Sequence, residues 1–185
     1  DKVASAAHRL GITSEIGLQP SMALGAVEVS PLEMAQAYAA FSNGGMRVQA
    51  HGINRIRTAK GRVLYEWRPE GKTSVIGQPS LYYMTQMLRG VVSGGTGTSA
   101  AIPGYDIAGK TGTTSDYRDA WFVGYTGGFV TVVWVGKDDN KPMKKITGGS
   151  TPAAIWRSFM GAALDRKSTR LNSSHTDISR MPSSA

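Results

Sequence analysis

The sequence has 185 residues, 41% of them hydrophobic and 18% charged, which is the composition of a folded domain and excludes a disordered or collagen-like chain. It contains no cysteine, and this excludes disulfides, thiolate metal sites and a cysteine nucleophile. The net charge is +8, but the basic residues are scattered, which favours a solvated basic surface over a nucleic-acid interface. The longest apolar run, residues 129–135 with an interruption at Thr131, is far shorter than the ~20 residues of a membrane-spanning helix.

Two helices are predicted in the first quarter of the chain. An amphipathic pattern over residues 3–10 predicts the first one, and because this pattern is already under way at the first residue, we expect sequence upstream of it. Ser30 is followed by Pro31 and Glu33, which predicts a capping box with proline in the first helical turn. The second helix should end at residues 43–45, where Asn-Gly-Gly stops the pattern.

The next segment reads as a hairpin followed by a helix. Two short strands, residues 53–57 and 62–67, flank the turn residues 59–61. A helix is predicted from Pro79 to about Val92. Its inner face is predicted to consist of Leu81, Met84, Met87, Leu88 and Val91, with the methionines filling the core.

Three strands are predicted beyond a glycine-rich connection at residues 93–98, which we interpret as a tight turn rather than a ligand-binding loop. The strands cover residues 105–113, 120–125 and 129–135. Since only Thr-Gly-Gly at 126–128 separates the last two, they must form an antiparallel hairpin.

A last helix is predicted to begin at Ser150 or Thr151, with Pro152 near its start. Its inner face is predicted to carry Ile155, Phe159 and Leu164. Residues 166–185 are rich in serine and show no helical or strand period. We therefore interpret 1–165 as the domain and 166–185 as a tail outside the fold, with a sequence typical of cloning remnants.

Two motifs with opposite implications overlap at Lys110. Residues 104–111, GYDIAGKT, match the phosphate-binding pattern G-x-x-x-x-G-K-[ST], which would indicate a nucleotide-binding protein. That mechanism requires a helix directly after the lysine, and residues 112–114, Gly-Thr-Thr, are poor helix formers. The antiparallel hairpin that follows also differs from the βαβ unit on which such loops lie.

The second motif is Lys110-Thr111-Gly112, followed by Thr113, at the end of a strand. On a strand, Lys110 and Gly112 point to one face, and Thr111 and Thr113 to the other. If this strand borders a groove, the ammonium group attracts a carboxylate, and the glycine leaves room for a substrate backbone. The alternative is an edge lysine that only opposes aggregation.

Several stretches in the same order resemble the transpeptidase domain of class A penicillin-binding proteins. They are GTGTSA, AGKTGTT, DYRDAWFVGYTGG and VVWVGKDD, preceded by LGAVEVSPLEMAQAYAAFSNGG. The resemblance implies an α/β (α+β) fold, an antiparallel sheet flanked by helices on both faces as in serine β-lactamases and transpeptidases, present here incompletely. It also implies a serine D,D-transpeptidase that cross-links D-Ala-D-Ala stem peptides of peptidoglycan and binds β-lactams, without a cofactor or metal.

By resemblance, each residue of the motif receives a role. Lys110 would act electrostatically in binding and catalysis, and Thr111 would place its hydroxyl near substrate and nucleophile. Gly112 would keep the wall of the groove low. Thr113 would donate its backbone N–H to the oxyanion and its hydroxyl to a substrate or penicillin carboxylate. The implied location is the extracytoplasmic face of the bacterial cytoplasmic membrane, with membrane attachment only through N-terminal parts outside this chain.

The sequence departs from the family pattern in one respect: it contains neither Ser-x-x-Lys nor Ser-x-Asn. We therefore expect a C-terminal part of a larger enzyme that lacks the nucleophile. A binding module without catalysis and a serine β-lactamase remain alternatives. His8 and His51 have no predicted catalytic partner, and Asp138-Asp139 is typical of a turn.

Overall fold

The computed structural model describes residues 2–69, 71–126 and 128–176. In chain order these residues form α1 (Lys2–Leu10), α2 (Pro31–Ser42), β1 (Arg55–Arg57), β2 (Val63–Glu66), α3 (Gln78–Ser93), β3 (Ala108–Thr113), β4 (Asp119–Thr126), β5 (Phe129–Gly136) and α4 (Thr151–Thr176). Short 3-10 helices lie at Pro20–Leu24 and Thr98–Ala100.

Helix α2 begins as its sequence predicts. The Ser30 side chain accepts a hydrogen bond from the Glu33 backbone N–H, and the Glu33 carboxylate accepts one from the Ser30 backbone N–H. The same carboxylate also accepts hydrogen bonds from the backbone and hydroxyl groups of Thr13 and Ser14. These donors, with the Ser30 N–H first among them, hold the pKa of Glu33 well below its ordinary range. One carboxylate therefore joins the start of α2 to the segment that follows α1.

The main sheet has three antiparallel strands in the order β3-β4-β5. The β4–β5 hairpin confirms the prediction from the Thr-Gly-Gly turn. Strand β3 begins at Ala108 rather than Tyr105, since Tyr105 instead donates its N–H to Ile102 in a turn. Among the described residues, β3 and β5 are the edges of this sheet.

One face of the sheet packs against α4. Phe122 of β4 and Trp156 of α4 are fully buried, with their rings edge to face at 5.4 Å between centroids. Met160 is buried beside them, and Val92 of α3 joins the same cluster. The indole N–H of Trp156 donates to the Thr131 carbonyl at 3.0 Å, so the polar atom of this core side chain has its partner.

The other face packs against α2 and α3. Leu88, Ala108 and Tyr125 form a second buried cluster, on which Tyr38 and Phe41 of α2 also pack. Burial raises the pKa of Tyr38 to about 12 and also raises the pKa of Tyr125. Helices thus cover both faces of an antiparallel sheet, which confirms the predicted fold class.

The predicted inner face of α3 is partly wrong. Leu81 and Leu88 are buried as expected, but the third buried position is Val92, and Met84 and Met87 are exposed, Met87 to 60%. Helix α3 runs beside strand β3, so only a narrow stripe of its surface meets the body of the domain.

The predicted inner face of α4 is also wrong at two of its three positions. Ile155 and Phe159 are exposed, Phe159 to 58%, whereas Trp156 and Met160 are fully buried together with Leu164. Both pairs have the i, i+4 spacing of a helix face, so the period alone cannot choose between them. Packing against the sheet favours the face that carries the tryptophan.

The final helix is longer than the sequence pattern indicates. Helix α4 continues to Thr176, so residues 166–176, predicted to be an irregular tail, have helical backbone. Residues 177–185 of that predicted tail lie outside the described residues.

The predicted hairpin of β1 and β2 forms with shorter strands. Its turn contains Gly61 at φ +84°, a backbone conformation that favours glycine. Both strands are exposed along their whole length, and Arg55 and Glu66 form an ion pair across them.

Candidate active-site strand

The Lys-Thr-Gly motif lies on β3, at the edge of the main sheet. Lys110 and Thr113 are exposed and Thr111 and Gly112 are half-buried. In the register with β4, Thr111 stands opposite Phe122 and Gly112 opposite Trp121. Thr111 and Thr113 therefore share the face covered by α4, and Lys110 and Gly112 lie on the other face.

The backbone groups of β3 alternate between β4 and the free edge. Beyond the end of the strand, Thr114 donates its N–H to the Asp119 carbonyl of β4 at 3.0 Å. Because donors alternate in direction along an antiparallel strand, the N–H groups of Thr111 and Thr113 point away from β4. The motif thus presents two backbone donors at the free edge of the sheet.

The Lys110 side chain folds around this free edge. Its ammonium group donates to the Thr111 carbonyl at 2.8 Å and lies 3.5 Å from the Thr111 hydroxyl. The first contact agrees with the alternation, since a carbonyl that paired with β4 would not face the edge. A positive charge and a hydroxyl group are therefore adjacent at this edge of the sheet.

The glycine-rich connection contributes a residue that sequence reasoning missed. A Cβ on Gly95 would lie 2.9 Å from the Cα of Val91, and one on Gly97 would lie 3.0 Å from the Phe122 ring, so the predicted tight turn is confirmed. The turn also places the Thr96 hydroxyl 2.7 Å from the Thr111 hydroxyl. The only sequence signal for Thr96 was its place in the GTGTSA stretch.

A second segment missed by sequence reasoning covers the same face of β3. The N–H of Gly148 donates to the Thr113 hydroxyl at 3.0 Å. A Cβ on Gly148 would lie 2.6 Å from the Gly112 carbonyl oxygen, and one on Gly149 would overlap the Thr96 carbonyl oxygen. Three segments, the Thr96 turn, β3 and residues 148–149, therefore meet in close backbone contact.

Asp119 and Trp121 of β4 pack against β5 and link the two strands. Asp119 accepts a hydrogen bond from the Trp134 indole N–H at 2.9 Å, which links β4 to β5. Trp121 and Trp134 lie side by side with 6.3 Å between ring centroids. The Asp138-Asp139 segment forms the predicted turn, in which Asn140 donates its N–H to Lys137.

His8 and His51, the histidines without a predicted catalytic partner, make their contacts away from β3. His8 pairs with the Ile12 carbonyl, and His51 stacks on Trp67 with 3.6 Å between ring centroids.

Within residues 2–69, 71–126 and 128–176, no group of three or more acidic or histidine side chains could hold a metal ion. None of the helices in these described ranges has the length and hydrophobicity needed to cross a bilayer.

The nucleotide-binding alternative is wrong. Lys110 is the third residue of a β-strand that pairs with β4 from Ala108 to Thr113, whereas a phosphate-binding loop requires its lysine at the start of a helix.

Helices on both faces of an antiparallel sheet, with Lys-Thr-Gly on its edge strand, agree with the resemblance to serine transpeptidases and β-lactamases. The chain belongs to the penicillin-binding protein transpeptidase family: the model of the penicillin binding protein transpeptidase domain matches residues 11–161.

Two relatives that are similar in sequence agree with this assignment. The chain is 40% identical over 163 residues to penicillin-binding protein 1A of Neisseria flavescens, which is 85% of this chain and 20% of that protein. It is 34% identical over 170 residues to penicillin-binding protein 1B of Vibrio cholerae, covering 90% of this chain and 22% of the relative. The chain therefore spans about a fifth of the length of these curated relatives.

Solved structures share the fold. Penicillin-binding protein 1A from Haemophilus influenzae superposes with a TM-score of 0.75 at 28% identity, covering 85% of this chain and 30% of that one. The PonA1 protein from Mycobacterium tuberculosis, in complex with penicillin V, has a TM-score of 0.77 at 29% identity and covers 88% and 49%. This chain is thus similar to class A penicillin-binding proteins.

Proposed function

We propose that this chain supplies one wall of the active site of a serine D,D-transpeptidase, which cross-links peptidoglycan stem peptides by acyl transfer and is acylated by β-lactams. The observation that carries the proposal is the edge strand β3, on which Lys110, Thr111 and the outward N–H of Thr113 are displayed together. The family assignment and the penicillin V complex of a similar protein support this function.

Lys110 is the electrostatic group of this wall. Its ammonium attracts the carboxylate at the end of a D-Ala-D-Ala peptide or of a penicillin, and it stabilises negative charge that develops on the nucleophile. The exposed position at the strand edge leaves it accessible to a ligand. Gly112 keeps the wall low beside it, since a side chain there would meet Trp121.

Thr113 is the donor group of this wall. An N–H that points to the free edge is available to a substrate carbonyl, and removing one oxyanion donor costs about 3 kcal/mol of transition-state stabilisation. The Thr113 hydroxyl receives the Gly148 N–H, which leaves its own hydrogen for a carboxylate. Thr111 places a second hydroxyl next to Lys110.

The nucleophile belongs to a part of the parent enzyme outside these 185 residues, since the sequence has neither Ser-x-x-Lys nor Ser-x-Asn. The parent acts at the extracytoplasmic face of the bacterial cytoplasmic membrane, to which its N-terminal parts attach it. Its partners are the stem peptides and β-lactams, and its chemistry needs no metal or cofactor.

Covalent labelling tests this proposal. The complete enzyme should gain one penicillin mass, whereas this chain alone should gain none. In the complete enzyme, Lys110→Ala should slow acylation about 100-fold or more without changing the melting temperature. Lys144→Ala, which removes an exposed lysine beyond β5, is the matched control and should leave the rate unchanged.

Two results would contradict the proposal. Normal acylation of the Lys110→Ala enzyme would remove Lys110 from the mechanism. A penicillin adduct on this chain alone would show that a nucleophile lies within it.

A further inference from the structure

Three polar groups form a continuous line at the edge of β3. The Lys110 ammonium lies 3.5 Å from the Thr111 hydroxyl oxygen, which lies 2.7 Å from the Thr96 hydroxyl oxygen. Thr96 belongs to the turn after α3, 15 residues away along the chain. This tertiary contact therefore joins the turn to the motif.

The direction of the hydrogen bonds along this line decides what Thr111 can offer a ligand. An ammonium group only donates, and a hydroxyl has one hydrogen and two lone pairs. The nearby positive charge of Lys110 orients the Thr111 oxygen toward itself. If Thr96 donates to the second lone pair of Thr111, the Thr111 hydrogen is left to point into the groove.

We propose that Thr96 is a positioning residue of the transpeptidase site: its hydroxyl donates to Thr111 and holds the Thr111 hydrogen toward the substrate or β-lactam. This inference rests on the proposed function and extends it to a residue outside the Lys-Thr-Gly motif. Without Thr96 the Thr111 hydroxyl rotates freely, and its orientation must be set anew when each ligand binds.

The backbone around Thr96 is built to keep this hydroxyl in place. On one side, a Cβ added to Gly95 would lie 2.9 Å from its nearest neighbour, and one added to Gly97 would lie 3.0 Å from its own. The turn therefore has almost no room to shift. On the other side, Gly149 lies directly against the Thr96 carbonyl, where any side chain would overlap it. The turn is clamped between α3, Phe122 and the segment before α4.

The test is a set of threonine substitutions in the complete enzyme, read as the second-order rate constant of acylation by labelled penicillin. Thr96→Val keeps the shape and removes the hydroxyl, and it should lower the rate about 3- to 10-fold. Thr96→Ser keeps the hydroxyl and should retain at least about half of the rate. Thr98→Val, an exposed threonine two residues further on, is the control and should not change it.

A double-mutant cycle separates positioning from a general structural effect. If Thr96 acts through Thr111, then Thr96→Val should cost nothing further in an enzyme that already carries Thr111→Val. The melting temperature of each variant should stay within about 2 °C of the wild-type value, because Thr96 is exposed. Thr96→Ala serves as a second variant without the hydroxyl.

The outcomes are distinguishable. Three results would each overturn the positioning role while the proposed function stands. The first is an unchanged rate for Thr96→Val and Thr96→Ala, and the second is an equal loss for Thr96→Val and Thr96→Ser. The third is additive losses in the double-mutant cycle. A wild-type enzyme that penicillin does not acylate would overturn the proposed function, and this inference with it. Loss in Val and Ala, rescue by Ser and a non-additive cycle would support it.

Discussion

Gly148 is the residue at which an added methyl group has the most clearly defined effect. In Gly148→Ala, the new Cβ would lie 2.6 Å from the carbonyl oxygen and 2.9 Å from the nitrogen of Gly112, and closer still to the Trp121 carbonyl oxygen. All three are backbone atoms of paired strands β3 and β4, so no side chain can rotate away. The segment must instead lift from the sheet by roughly 1 Å to reach an ordinary contact distance.

The expected cost follows from two effects. Forcing a methyl group into a filled contact costs about 1–3 kcal/mol. Lifting the segment also breaks the hydrogen bond from the Gly148 N–H to the Thr113 hydroxyl, now 3.0 Å long, which contributes about 0.5–1.5 kcal/mol. Together they predict that Gly148→Ala lowers the free energy of unfolding by about 1.5–4.5 kcal/mol.

Urea denaturation of the full 185-residue chain measures this change as a lower midpoint at an unchanged m-value. The matched control is Gly90→Ala: Gly90 lies inside α3 and nothing stands within 4 Å of its added Cβ. Since glycine destabilises a helix interior, this change should raise the free energy of unfolding by about 0.5–1 kcal/mol. Equal effects of the two substitutions, or a Gly148→Ala midpoint within error of wild type, would refute the reasoning.

Two further predictions concern α4 and the start of α2. Met160→Ala should lower the free energy of unfolding by about 2–5 kcal/mol, and Phe159→Ala on the exposed face by less than about 0.5 kcal/mol; the reverse order in urea denaturation would contradict the observed face of α4. Hydrogen bonds from Ser30 and Ser14 lower the pKa of Glu33, so the stability it contributes is complete above about pH 5 and is lost as the pH falls toward its folded-state pKa. Glu33→Gln should therefore lower the unfolding free energy at neutral pH and flatten its dependence on pH between about 5 and 2; parallel pH profiles for the two proteins would disprove the role of this carboxylate.

The sequence predicts local structure well because the residues that cause it lie only a few positions apart. The capping box of α2 joins positions 30 and 33, and the short Thr-Gly-Gly stretch at 126–128 leaves β4 and β5 no alternative to antiparallel pairing. The strand that carries Lys110 was predictable for the same reason, since poor helix formers follow the lysine directly. The sequence therefore predicts a strand for the motif without knowledge of any tertiary contact.

Only the tertiary structure decided which surfaces meet. The pairs 155/159 and 156/160 have the same helical spacing, and only packing against Phe122 buries the second of them. Likewise, Thr96 reaches Thr111 across 15 residues and Gly148 reaches Thr113 across 35. Such contacts depend on how whole elements pack, whereas caps, turns and periods depend on neighbours along the chain. The sequence determined the strand and its chemistry; the fold determined what holds that strand in place.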